Sequence, residues 1–64
     1  MPMVTIDWLE GRTQAQKAKL AKAITDAFIT VAGVKPEQVW LVFRDVPRAD
    51  WAMGGTLLEP KSGA

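Results

Sequence analysis

Apolar and polar residues alternate at the start of the chain. Over positions 3–8, Val4, Ile6 and Trp8 share one face, whereas Thr5 and Asp7 fall on the other. This period of two predicts a half-buried strand. A short break follows, and it contains a glycine.

The next apolar pattern has a helical period. From Gln14 to about Ala32 the apolar residues recur at steps of three and four, which predicts one amphipathic helix of about five turns. Thr13 followed by Gln16 fits a capping box at its start. Gly33 suits the left-handed position that ends a helix.

A second strand is predicted at residues 39–43, a continuous Val-Trp-Leu-Val-Phe run typical of a strand covered on both faces. Arg44 and Asp45 are expected to end it. Strand, helix and strand within about 45 residues form a β-α-β unit, whose right-handed crossover makes the strands parallel.

Residues 51–53 and 56–58 flank Gly54 and Gly55, which predicts a small C-terminal hairpin. We therefore expect one α/β (α+β) domain over residues 1–64, with about 59–64 as a flexible tail.

The predicted unit is too small to enclose its own apolar residues. A compact monomer of this mass would expose ~4,000 Å² of the ~10,000 Å² of its extended chain. Yet 48% of its 64 residues are apolar, and it contains no cysteine for disulfides. One helix covers one sheet face, so we expect self-association to complete the sheet and cover the bare face, with Trp8 or Trp40 among its candidate residues.

Composition excludes several functions. Without cysteine, histidine or tyrosine, the chain lacks the usual nucleophile pairs and zinc ligand sets. Its net charge of +1 is spread along the chain, which argues against nucleic acid as a partner. No run of about 18 apolar residues predicts a membrane span, and no leader pattern is present, so a cytoplasmic location is expected.

Pro2 is the first candidate for chemistry. If Met1 is removed, Pro2 offers a secondary amine, and terminal amines titrate near pH ~8. An apolar pocket or a neighbouring cation would favour the neutral form, which could act as a general base. The alternative is that a Met-Pro start is merely tolerated before a strand.

Arg12 is the second candidate, because it follows Gly11 at the turn after the first strand. There a guanidinium suits a substrate carboxylate; the alternative is a solvated loop arginine. Trp51 and Met53 could form an apolar pocket wall or pack in an interface. The lysines of the helix are expected to form a solvated face: Lys17, Lys19 and Lys22.

Several motifs together resemble the 4-oxalocrotonate tautomerase family. They are Pro2 after the initiator, the Leu-Glu-Gly-Arg-Thr turn at 9–13, the Gln16-Lys17 step into the helix, and the aromatic-x-Met-Gly-Gly pattern at 51–55. The resemblance extends from Pro2 to about Leu58.

The resemblance implies a β-α-β subunit assembled as a homohexamer, a trimer of dimers, with active sites shared between subunits and with no cofactor or metal. It implies a tautomerase that moves a proton between enol and keto forms of a small carboxylate-bearing acid. Pro2 would be the base, Arg12 would bind the carboxylate, and the substrate-binding residues would be Leu9, Trp40 and Trp51.

One position departs from the family. Its hydroxymuconate isomerases have a second arginine where this chain has Trp40, and losing such a donor could cost about 3 kcal/mol in the transition state. Arg44 lies ~13 Å further along the strand and cannot replace it, whereas Arg48 is expected to be freer to move. We expect Trp40 to favour a smaller or more apolar substrate with one carboxylate or none.

Two alternatives stay open. One is another proline-dependent activity, hydration or dehalogenation, which needs a carboxylate such as Asp7, Asp45 or Asp50 to activate water. The other is a non-catalytic or partner subunit in a tautomerase-like hetero-oligomer.

Overall fold

The computed structural model describes residues 1–59, and it has a β-α-β architecture followed by a hairpin. The elements in chain order are β1 (Met3–Leu9), α1 (Gln14–Ala32), a 3-10 turn (Pro36–Gln38), β2 (Trp40–Val46), a second 3-10 turn (Arg48–Asp50), β3 (Ala52–Met53) and β4 (Thr56–Leu57). Strands β1 and β2 are parallel, and β3 and β4 are antiparallel. The predicted fold class is confirmed. Most of the predicted tail lies outside the described residues.

Both predicted ends of α1 are confirmed. The Thr13 Oγ1 accepts the Gln16 backbone N–H at 3.1 Å, and the Gln16 Oε1 accepts the Thr13 backbone N–H at 2.9 Å. At the other end Gly33 has φ 69°, and its N–H donates to the Ile29 carbonyl at 3.1 Å. These local bonds satisfy backbone groups that a helix end leaves free.

The predicted bounds of the second strand are wrong. Its register runs from Met3↔Trp40 to Leu9↔Val46, so β2 continues past Arg44 and Asp45. The Val46 carbonyl accepts the Glu10 N–H at 3.0 Å, which extends the pairing beyond the end of β1. Strand β2 therefore matches the full length of β1 and ends where its partner ends.

The two faces of the sheet differ in exposure. Val4, Ile6, Trp8, Leu41 and Phe43 are half-buried on the face that α1 covers. Six residues form the opposite face, here called the open face: Met3, Thr5, Asp7, Trp40, Val42 and Arg44, all exposed. Trp40 is 55% exposed there, whereas Trp8 stacks on Phe43 at a ring-centroid distance of 5.3 Å on the covered face. Only one of the two candidate tryptophans thus lies on the bare face.

A single copy of the chain has no enclosed core. No residue between positions 1 and 59 is buried, and the molecule is only 14 Å thick along its shortest axis and 49 Å along its longest. Its accessible surface is 4935 Å², more than the ~4,000 Å² expected for a compact monomer of this mass. The open face leaves three large apolar side chains without cover at one end of the sheet, Met3, Trp40 and Val42.

The predicted hairpin is confirmed. Ala52 pairs with Leu57 and Met53 with Thr56. Gly54 and Gly55 form the turn between them with φ of 61° and 84°, and a tight two-residue turn of this type requires positive φ at both positions. Sequence reasoning did not predict the two 3-10 turns.

Within the described part of the chain, α1 is the one long helix, and it is not apolar enough to cross a bilayer.

Replacing Thr13 with alanine tests the helix cap. Thr13→Ala removes the hydroxyl that accepts the Gln16 N–H and should lower the free energy of unfolding by about 1 kcal/mol. Urea unfolding of both proteins at one protein concentration measures the difference. Thr30→Ala is the matched control on the exposed side of α1 and should cost nothing, since alanine has the higher helix propensity. Equal losses in the two variants would contradict the role of the cap.

Candidate functional site

Pro2 and Trp40 lie together at the start of the sheet. The Trp40 backbone N–H donates to the Pro2 carbonyl at 3.0 Å, so the two residues are neighbours across β1 and β2. Pro2 is half-buried and Trp40 is exposed on the open face. Met1 precedes Pro2, so the Pro2 nitrogen is an amide until that methionine is removed. Pro2 can act as a base only after that cleavage.

Arg12 lies at the opposite end of the sheet. Gly11 has φ 126°, a conformation that favours glycine, and the turn brings the Arg12 guanidinium over the Trp8 ring at 5.2 Å from its centroid. Leu9 is the last residue of β1, paired with Val46 at this same end. The guanidinium therefore projects over the carboxyl end of the strand.

One copy of the chain does not bring Pro2 and Arg12 together. Trp8 lies six residues further along the strand than Pro2, which is about 20 Å, and Arg12 lies over Trp8. A small acid cannot contact both residues of the same chain. A site that uses both must combine the start of one sheet with the end of another.

A polar network that sequence reasoning missed lies next to Arg12, on the other side of the Trp8 indole. The Trp8 Nε1–H donates to the Asp45 Oδ1 at 2.6 Å, and the Lys17 ammonium of α1 donates to Asp45 Oδ2. The Lys17 side chain is only 20% exposed, so this lysine is not part of a solvated helix face. The hydrogen bond from Lys17, followed by the one from Trp8, holds the pKa of Asp45 below its ordinary value.

Trp51 follows the second 3-10 turn and is half-buried at the base of the hairpin. Its carbonyl accepts the Leu58 N–H at 2.9 Å, which fixes the residue between the turn and β4. Met53 points to solvent with 65% exposure.

Each of the other two arginines has one carboxylate neighbour on the surface. The Arg48 Nε lies 3.6 Å from the Glu59 Oε2, and both side chains are more than half exposed. The Arg44 guanidinium lies 3.9 Å from Asp7 on the open face. Within residues 1–59, neither arginine forms a hydrogen bond with Trp40.

An open groove of about 250 Å³ lies on the C-terminal half of α1. It is lined by apolar side chains alone: Ala27, Phe28, Val31 and Ala32. None of the predicted site residues lines it. Over positions 1–59, no three acidic side chains converge on one point in the way a metal site requires.

Comparison with known proteins bears on the family and the fold. The tautomerase enzyme family model matches residues 2–61. A probable tautomerase of Ralstonia nicotianae is 35% identical over 63 residues, covering 98% of this chain and 97% of that protein. A solved 4-oxalocrotonate tautomerase homologue superposes with a TM-score of 0.88 at 32% identity, covering 98% of this chain and all of its own.

A heterohexameric 4-oxalocrotonate tautomerase from Chloroflexus aurantiacus is 36% identical, with a TM-score of 0.80 over 91% of this chain and 94% of its own. With most of its length matched by the family model and by these relatives, the chain belongs to the tautomerase family. Its fold is that of the 4-oxalocrotonate tautomerase homologues.

Asp45 predicts an acid dependence of stability. Its pKa is lowered on folding, so its ion pair stabilises the fold above the ordinary carboxyl pKa and loses that effect as the pH falls through the lower folded value. Asp45→Asn should flatten this acid limb, measured as unfolding midpoints between about pH 2 and 5.

Asp26→Asn is the matched control for this measurement. Asp26 pairs with Lys22 on the exposed side of α1, and its replacement leaves Asp45 in place. This variant should keep the acid limb of the original protein. An unchanged limb in Asp45→Asn would contradict the assignment.

Proposed function

We propose that this protein is a cofactor-independent tautomerase that moves a proton between the enol and keto forms of a small carboxylate-bearing acid. Pro2, freed by removal of Met1, is the general base. The observation that carries the proposal is the place of Pro2, half-buried at the start of β1 beside Trp40, in a chain of this family.

The chain terminus is the base we propose, because it is an amine that titrates near neutral pH without a large shift of its pKa. The chain has no histidine or cysteine, and the Asp45 carboxylate is occupied by two donors. An apolar pocket formed around Pro2 by further copies of the chain would favour the neutral form of this amine. The amine takes the proton of the enol hydroxyl and returns a proton to carbon, which yields the keto acid.

Arg12 binds the substrate carboxylate and draws electron density from the reacting enol. Because about 20 Å of strand separates the two ends of the sheet, the Arg12 that serves a given Pro2 comes from another copy of the chain. A homo-oligomer, in the form of a hexamer, supplies it and covers the open face. Leu9 and Trp51 form apolar walls of the shared pocket.

Trp40 sets the substrate class. Its backbone N–H bonds the Pro2 carbonyl, and its uncharged indole lies on the open face, where the arginine, Arg44, lies 3.9 Å from Asp7. A second carboxylate on the substrate would therefore meet an indole at position 40 in place of a guanidinium. The preferred substrate is an enol with one carboxylate or none, such as an aryl enolpyruvate.

Replacing Pro2 tests the base. Pro2→Ala should lower kcat/KM for phenylenolpyruvate ketonisation by about 100-fold, with the oligomer intact by size-exclusion chromatography. Intact mass must show that Met1 is absent from each protein. Pro36→Ala, at an exposed proline of the first 3-10 turn, is the matched control and should keep full activity. Full activity in Pro2→Ala would refute the assignment.

Two substrates test the role of Trp40. The kcat/KM for phenylenolpyruvate should exceed that for 2-hydroxymuconate, the corresponding diacid. Trp40→Arg should raise kcat/KM for the diacid by about tenfold, because it restores a charge-assisted donor beside Pro2. A strong diacid preference in the unmodified protein would contradict this proposal.

A partner subunit in a hetero-oligomer is the second candidate function. It is favoured by Trp40 in place of a charged residue and by the 36% identity to a heterohexameric relative. Native mass spectrometry separates the two: a homohexamer that turns over an enol acid supports the enzyme, and a chain that assembles only with a second, related chain supports the partner subunit.

Hydration or dehalogenation has less support from the geometry. Two of its three candidate carboxylates are engaged, Asp45 with Lys17 and Trp8, and Asp7 with Arg44. Only Asp50 remains as the group to activate water.

A further inference from the structure

Arg12 differs from the other arginines of the chain. Arg44 is paired with Asp7, and Arg48 with Glu59. Over residues 1–59, Arg12 makes no ion pair and lies on an aromatic ring instead. A guanidinium that is charged, exposed and without an acidic partner is available to an external anion.

An acidic partner is nevertheless close by. Arg12 lies over Trp8, and the Trp8 indole N–H is bonded to the Asp45 carboxylate. The positive charge of Arg12 is near enough to contribute to the lowered pKa of Asp45, after the larger effects of the Lys17 and Trp8 hydrogen bonds. Asp45 is thus the carboxylate that could neutralise Arg12 from within the chain.

Both oxygens of Asp45 are already occupied. Oδ1 accepts the Trp8 indole N–H and Oδ2 accepts the Lys17 ammonium. Lys17 is held in place by the first turns of α1, and Trp8 by its stacking on Phe43. The carboxylate is therefore oriented by groups on two different elements.

We propose that Lys17 and Trp8 are positioning residues that hold Asp45 away from Arg12 and so keep this guanidinium free to bind a substrate carboxylate. Trp8 has a second part in this arrangement, because its ring supports the guanidinium from below. The inference deepens the proposed function and rests on it in assigning the anion at Arg12 to the substrate.

Loss of Lys17 should weaken anion binding at Arg12, because Asp45 would then be free to pair with Arg12. Without the ammonium, Oδ2 has no donor, and the nearest remaining cation is Arg12. An intramolecular Asp45–Arg12 pair would then compete with every external carboxylate. Removing the Asp45 charge as well should abolish that competition and restore binding.

The test measures binding of cinnamate, an inert monocarboxylate, to the full-length protein freed of Met1. The Arg12 Nε–H resonance in ¹⁵N spectra reports the titration, and spectral dispersion shows that each variant is folded. Lys17→Met should weaken binding about fivefold, the upper range for an exposed ion pair, and Lys17→Met/Asp45→Asn should return within about twofold of the original affinity.

A matched control and an independent variant accompany this pair. Lys22→Met breaks the exposed Lys22–Asp26 pair on the same helix and should leave cinnamate binding unchanged. Trp8→Phe keeps an aromatic ring under the guanidinium but frees the Asp45 Oδ1, so it should weaken binding in the same direction, by about twofold. It provides the test if Lys17→Met does not fold.

Three results would overturn the inference: cinnamate does not shift the Arg12 resonance, Lys17→Met binds cinnamate with unchanged affinity, or the double variant binds as weakly as Lys17→Met.

Kinetic measurements separate this inference from the proposed function. With phenylenolpyruvate, Lys17→Met should raise KM about fivefold with kcat unchanged. If no protein turns over the enol while the binding pattern persists, the inference stands and the proposed function fails.

Discussion

One helix can cover only one face of a two-stranded sheet, and the rest of this structure depends on that constraint. Val4, Ile6 and Phe43 are half-buried beneath α1, but the open face has nothing of its own chain to cover it. Over residues 1–59 not one side chain is buried. Stability in water therefore requires further copies, because an isolated sheet of this size is marginal.

The same constraint governs the candidate site. Strand β1 separates Pro2 from Arg12, and its length keeps them about 20 Å apart in one chain. In the proposed assembly, the contacts that cover the open face also bring the start of one sheet to the end of another. Folding and assembly are then coupled. Dissociation of the subunits would remove both the core and the site, so stability and activity would be lost together.

Local features were predictable from the sequence and non-local ones were not. The Thr13 cap, the Gly54-Gly55 turn and the alternation in β1 depend on residues close in the chain, and the structure has all three. The full length of β2 depends on register with β1, and the Lys17–Asp45 pair joins positions 28 apart. Helical spacing places Lys17 on the apolar face of α1, three, four and seven residues before Leu20, Ala21 and Ile24. That period could have separated it from Lys19 and Lys22, but it does not show that the partner is Asp45.

The central claim is that Pro2 of one copy works with Arg12 of another. Mixing two inactive variants, Pro2→Ala and Arg12→Ala, after dissociation and reassembly tests it most directly. If two different copies form each site, equal mixing should restore about a quarter of the original activity, because random exchange pairs an intact Pro2 with an intact Arg12 at that frequency. A reassembled mixture no more active than its two components would contradict the account.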